Sequence, residues 1–406
     1  MIAPSTASIL IANYNYGRFL PYAIDSALAQ TWPNVQVVVV DDGSTDESPL
    51  IIQSYGDDIL PVYKENGGQA SAVNAGFPVL TGETVILLDA DDVLDPSAIE
   101  KTIGFFAEPD IVKVCWPFDV IDRHGRPTGA RKFTQLPQGS FRKNALKMGP
   151  ASHFTPAQSG NFWRKSFLDQ VVPIPADEYR FNADAYLFTF APLFGSFRSV
   201  QEPLTQYRVH GRNISSRYAA GGRRADWETR AVHLHAFLTE RGEHVSIARW
   251  RRNNPNYLRL SGILEAEKKI GVYLPKDAPI ALIGGQLYER ADIRPARPVH
   301  RPPDDIRSSE RTEADFRAFL NDMGTTGIDY LAVQGPATWN DTNLGVLAAL
   351  LHAEHQVLYE NDWIVIAKVN HSHGDLPGTA ASSGPPITPP SSRRTCELPI
   401  AADGSQ

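Results

Sequence analysis

Three β-branched or aliphatic runs, Ser8 to Ala12, Val35 to Val40 and Thr84 to Leu88, each end in a polar segment, and stretches long enough for a crossover helix separate them. That rhythm belongs to a parallel βαβ sheet. The polar segments are Asn13-Tyr14-Asn15, Asp41-Asp42-Gly43-Ser44-Thr45-Asp46 and Asp89-Ala90-Asp91-Asp92. In such sheets ligands bind beyond the carboxyl ends of the strands, which is where all three fall. Carboxylates gathered there suit a nucleotide together with a divalent cation.

At 406 residues the chain is too long for one small core and predicts two or three domains, which a hydrophobic content of 42% can fill. The formal net charge of -7, with no Lys/Arg-rich stripe, argues against a nucleic-acid partner. Cys115 and Cys396 lie far apart and support neither a disulfide framework nor a zinc site, so a reducing compartment is expected. With no leader-like opening and no run approaching the roughly 20 apolar residues of a membrane span, the expectation is a cytoplasmic protein, with peripheral contact at the inner face of the membrane left open.

Residues 1–217 read as one α/β domain, with helices predicted at about Leu20 to Gln30, Thr45 to Ser54, Gln69 to Leu80, Pro96 to Phe106 and Asp184 to Phe194. Ser44 or Thr45 is placed to cap the helix after the second strand. Residues 122–150, rich in Gly, Pro, Arg and Lys, read as a long loop or small hairpin. Residues 218–275 have helical periodicity, 276–370 repeat an α/β pattern on a smaller scale, and 371–406 are a Pro/Ser/Gly/Ala-rich tail expected to be disordered.

Ala12-Asn13-Tyr14-Asn15, Ala29-Gln30-Thr31-Trp32-Pro33-Asn34, Val40 to Asp46, Asn66-Gly67-Gly68-Gln69, Leu88 to Asp92 and Tyr207-Arg208-Val209-His210-Gly211 occur in that order. Together they resemble family 2 glycosyltransferases across about half of the chain. The resemblance implies a GT-A domain, a mostly parallel, doubly wound sheet that binds a nucleotide sugar.

The resemblance also assigns roles. Ala12, Tyr14 and Asn15 would receive the base, and Asp41 or Asp42 would accept hydrogen bonds from uracil or ribose. Asn66, Gly68, Asp89 and Ala90 complete the donor nucleotide set. Asp91 and Asp92, with His210, would hold Mg²⁺ or Mn²⁺ against the diphosphate. Arg212 would neutralise phosphate oxygens. Many family members have arginine where Val73 stands, so another group has to supply that cation here.

Gln158 to Lys165 resembles the family's acceptor segment, which assigns Gly160, Asn161 and Trp163 to the acceptor, with Trp163 as a stacking platform. Asp184 occupies the helix-start position of the family's general base, with Ala183 where Glu is common, and Asp177 and Glu178 are nearby substitutes. A plain helix N-cap is the alternative for Asp184.

The function implied is inverting, metal-dependent transfer of a hexosyl-type sugar from a nucleoside-diphosphate sugar, favoured as a UDP-sugar, to a saccharide or lipid-linked saccharide. Polysaccharide or cell-surface glycan synthesis is the expected setting. The smaller domain, 276–370, is assigned a protein partner or acceptor positioning. A non-catalytic nucleotide- or glycan-binding scaffold is one rival, motivated by Ala183 and Val73. A nucleotidyltransferase is a weaker one, because Asn15-Tyr16-Gly17-Arg18 is not a Gly-rich triphosphate loop.

Overall fold

A computed structural model of the chain describes residues 6–211, 220–262, 264, 280–283, 299–300, 312–325, 328–334, 342–361 and 364–370. The predicted tail at 371–406 lies outside the described residues. Among the described residues no helix is long and apolar enough to cross a membrane.

The apolar runs form β1 (Ala7–Asn13), β2 (Val35–Asp41), β3 (Leu60–Tyr63) and β4 (Thr84–Asp89), all parallel in the order β3-β2-β1-β4. Register aligns their carboxyl ends: Asn13 pairs with Asp41, and Ala12 with Asp89. The polar segments of three successive runs are therefore neighbours in space.

Short β5 (Val93–Leu94) follows, then β6 (Ile111–Cys115), β7 (Phe118–Ile121), β8 (Pro127–Lys132), β9 (Gly139–Ser140), β10 (Asn161–Arg164), β11 (Ser196–Ser199) and β12 (Thr205–Arg208). The main sheet continues from β4 through β10, β6 and β11 to β9, and β10 runs antiparallel to both neighbours. That reversal brings the segment before β10, residues 158–160, to the carboxyl end of β4. A second sheet, β5-β12-β7-β8, delivers the chain after β12 to the same edge.

Side chains alternate across a strand. Ile9, Ile11, Val37 and Val39 pack with Leu20, Ile24 and Leu88 on one face of the sheet. Leu10, Val38 and Val40 pack on the other with Val73, Leu187 and Phe190. Trp227, Leu234 and Trp250, from the helices Ala220–Glu240 and Ile247–Asn253, join this second cluster.

One local expectation is corrected. The helix after β2 spans Ser48–Ser54, and neither Ser44 nor Thr45 caps it. Asp46 does the ordering there, accepting from the amides of Ser48 at 3.0 Å and Gly17 at 2.9 Å, because the Ser44 hydroxyl is taken by Asn13 and Asn15. Within residues 122–150 the hairpin alternative holds, since β8 pairs antiparallel with β7, and β9 and the helix Arg142–Met148 follow it.

The smaller C-terminal sheet has the order β14 (Val299–His300), β13 (Ile280–Ile283), β15 (Tyr330–Gln334), β17 (Ile364–Lys368) and β16 (Gln356–Asn361). Phe316, Leu320 and Leu351, from the helices Glu313–Thr325 and Thr342–Glu354, bury against Leu331, Val333 and Val365.

Candidate active site

A cavity of about 480 Å³ opens at the carboxyl ends of β1, β2 and β4, within the range of small-ligand sites. Ala12 and Tyr14 line it from β1 and the turn that follows, and Tyr14 keeps 44% of its surface exposed. Asp42, Asn66 and Gly68 form a second wall. The Asp42 carboxylate accepts from Lys64 Nζ at 2.6 Å and from the amides of Gly67 at 2.9 Å and Gly68 at 2.6 Å, with the Asn66 side-chain amide at 3.2 Å. Those four donors occupy both oxygens, so Asp42 shapes the 64–68 loop around the cavity. Gly68 has φ +88, and a Cβ there would stand 2.4 Å from Arg180.

Asp89, Ala90 and Asp91 line the floor. Asp89 Oδ1 accepts from Gln158 Nε2 at 2.7 Å and Gln69 Nε2 at 3.2 Å. Burial, with the charges of Asp91 and Asp184, pushes its carboxyl up to about 8. Asp91 Oδ2 stands 2.8 Å from His210 Nε2, and that ring is stacked on Phe19 at 4.8 Å. A carboxylate oxygen and an imidazole nitrogen meeting at one point are donors that Mn²⁺ or Mg²⁺ accepts, with further ligands left for diphosphate oxygens. The pair fits a divalent ion in that way, although the described residues contain no group of three or more His, Cys, Asp or Glu arranged for a metal.

Asp184 enters from the opposite side, in the first turn of the helix Ala183–Phe190. Protein packs around the carboxyl yet leaves a face open to the cavity, and burial raises its pKa to about 6, against the lowering effects of the Ala185 amide and the Arg230 charge. The N-cap of this helix is Asn182, so Asp184 sits inside the first turn and is not the cap; its carboxylate accepts from the adjacent Ala185 N at 2.8 Å. Gln69 ties this helix to the floor, since its Oε1 accepts from Ala183 N at 3.1 Å while its Nε2 serves Asp89.

Other expected site residues are placed elsewhere. Asp41 faces away from the cavity, as strand alternation requires, and accepts from Asn13 Nδ2 at 2.9 Å and Ser44 N at 3.1 Å. Asn15, at φ 56, points its Oδ1 to the amides of Thr45 and Asp46 and so pins the turn after β2. Asp92 is 1% exposed and accepts from Arg208 N at 3.0 Å, which anchors β12.

The acceptor assignments need the same correction. Trp163 is 1% exposed and packs against Phe167 and Phe188, so its face is unavailable as a sugar platform. Asn161 donates to the carbonyls of Pro156, Ala157 and Gln158 and closes the turn before β10. Gly160 lies where a Cβ would come 2.3 Å from the Phe118 ring. Glu178 pairs with His233 at 2.9 Å and, like Asp177, does not line the cavity. Val73 is core, and Asn74 holds the backbone of Ile174 through both ends of its amide. Arg212 lies outside the described residues.

The structure adds Gln69, Gln158, Arg180 and Asn182 to the cavity wall. Gln69 and Gln158 stand in the motifs quoted above without an assigned role, whereas Arg180 and Asn182 are brought in by the packing of the 176–184 segment on the 66–69 turn.

Residues 8–168 match the model described as Glycosyl transferase family 2. An uncharacterized glycosyltransferase of Nostoc sp. is 39% identical over 212 residues, 51% of this chain and 65% of that protein. Another, from Rickettsia prowazekii, is 43% identical over 119 residues, 29% of this chain and 37% of its own length. The matched segment thus spans less than two thirds of either relative. Among solved structures, Staphylococcus aureus TarS aligns over 88% of this chain and 56% of its own at 14% identity, with a TM-score of 0.49.

Proposed function

We propose that this chain, which through residues 8–168 belongs to glycosyl transferase family 2, is an inverting transferase that moves a sugar from a UDP-sugar to a hydroxyl of a saccharide or lipid-linked saccharide. One observation carries the reading: Asp184 opens into the same cavity as Asp89 and Asp91, and the side chain of Gln69 spans from Asp89 to the start of the Asp184 helix.

In this reading the exposed Tyr14 ring and the loop fixed by Asp42 receive the nucleoside. Asp184 takes the proton from the acceptor hydroxyl as that oxygen attacks the anomeric carbon, and the nucleoside diphosphate leaves from the opposite face. A single displacement inverts the centre and needs one carboxylate base, with no second carboxylate acting as nucleophile. A base with a pKa near 6 is ionised at neutral pH and still basic enough to accept a proton. Mg²⁺ or Mn²⁺ held by Asp91 and His210 would supply charge neutralisation for the leaving diphosphate. Synthesis of a polysaccharide or cell-surface glycan is the setting that such an acceptor implies.

The test is nucleoside-diphosphate release from UDP-, GDP- and dTDP-sugars in the presence of saccharide acceptors, with Mg²⁺, Mn²⁺ or chelator. Metal-dependent release from one donor by the wild type, lost in Asp184→Asn with donor binding kept, is expected. Release that Asp184→Asn retains in full, or a product of retained anomeric configuration, would overturn the reading.

A further inference from the structure

The cavity has a charge problem. Four carboxyl side chains line it, Asp42, Asp89, Asp91 and Asp184, while the ligand proposed for it carries an anionic diphosphate. Among the described residues that line the cavity, Arg180 is the only lysine or arginine. Three other cations among the described residues are committed elsewhere. Lys64 is held by Asp42 at 2.6 Å. Arg208 is 2% exposed, donates from Nε to the Asp91 carbonyl and lies over the rings of Phe19 and Tyr22. Lys113 is fully buried in the sheet among Trp163, Phe188 and Phe197.

Arg180 is held at the cavity by its neighbours. Its carbonyl accepts from Gln69 N at 2.7 Å, its guanidinium donates from Nη2 to Asn66 Oδ1, and its stem lies against Gly68 at the point where any Cβ would collide. Asn66 takes one of five N–H donors in a planar fork whose geometry matches phosphate oxygens.

We propose that Arg180 is the cationic contact for the donor diphosphate, a specificity-determining residue that makes the cavity select nucleoside diphosphates over nucleosides. The inference rests on the donor-binding reading above. It also places the anion contact four residues before Asp184, on the segment that carries the base, so a bound diphosphate steadies the start of the base helix.

The experiment is calorimetric binding of UDP, GDP, uridine and guanosine to the full chain with Mg²⁺, for wild type, Arg180→Gln and Arg180→Lys. Loss of a charged hydrogen bond predicts diphosphate binding about 10- to 100-fold weaker in Arg180→Gln. Nucleoside binding should change by less than about twofold, and Arg180→Lys should fall between the two because it keeps the charge without the fork. Equal binding of diphosphate by wild type and Arg180→Gln would overturn this inference alone. Equal losses for nucleoside and diphosphate would also overturn it, making Arg180 a base or packing contact. A wild type that binds neither diphosphate would overturn the donor-binding reading itself, and this inference with it.

Discussion

Gln69 Nε2 donates to Asp89 Oδ1 at 3.2 Å while its Oε1 accepts from Ala183 N at 3.1 Å, and these two bonds link the floor of the cavity to the helix that presents Asp184. Gln69→Ala takes one side-chain donor from Asp89 and removes the acceptor of the Ala183 amide. A positioning role predicts a kcat lowered about tenfold or more with donor Kd nearly constant, since base placement is lost before donor contacts are. Gln69→Glu restores the acceptor for Ala183 but sets a carboxylate against Asp89, so it should not rescue. Steady-state kinetics beside calorimetric donor binding separates the two effects.

Asp184→Asn should lower kcat by about 10²- to 10⁴-fold while leaving the fold intact. The wild-type rate should rise with pH through an inflection near 6, where burial places the carboxyl. The stability effect has the opposite sign. A carboxyl whose folded pKa lies above its unfolded value contributes stability that is fully present below about 4 and lost as pH rises through about 6. Asp184→Asn removes that loss, so its stability should depend less on pH between 4 and 6 than that of the wild type, as paired thermal melts would show.

Asp42→Asn puts an NH₂ group where four donors converge. The buried carboxylate that holds Lys64 and the amides of Gly67 and Gly68 is gone, and a destabilisation of about 2–4 kcal/mol is expected. Denaturant unfolding checks the magnitude. If the melting midpoint and nucleoside binding both survive, the 64–68 loop is held by something other than Asp42.

His210→Ala removes the imidazole that pairs with Asp91 at 2.8 Å. The Mn²⁺ concentration for half-maximal activity should rise about tenfold or more, with the maximal rate at saturating metal less affected. Chelator should silence the wild type. Turnover unchanged by chelator would assign the Asp91–His210 contact to holding the chain after β12 in place.

The parallel strands and the carboxylates at their ends were legible because apolar runs and polar stops are local signals. The division of labour within a pair was not. Asp41 and Asp42 are adjacent in sequence, but alternation along the strand sends one to Asn13 and the other to the cavity wall. Trp163 and Asn161 were misassigned because a short segment before an antiparallel strand does not declare which of its residues face the core. Arg180 carries no motif signal, and long-range packing alone brings it to the cavity, while the acceptor-like segment that opens at Gln158 does not declare which of its residues faces the ligand. The domain reading put a boundary at 217, where the recognisable motifs stop.

Packing does not stop there. Trp227 and Trp250 donate from their indole nitrogens to the carbonyls of Pro150 and Leu146, Asn254 bonds the carbonyls of Met148 and Pro150, and Asp226 grips the side chain of Asn182 just before the Asp184 helix. A protein cut at 217 would therefore present raw apolar wall and a loosened base, so the shortest piece worth expressing runs to at least Asn254.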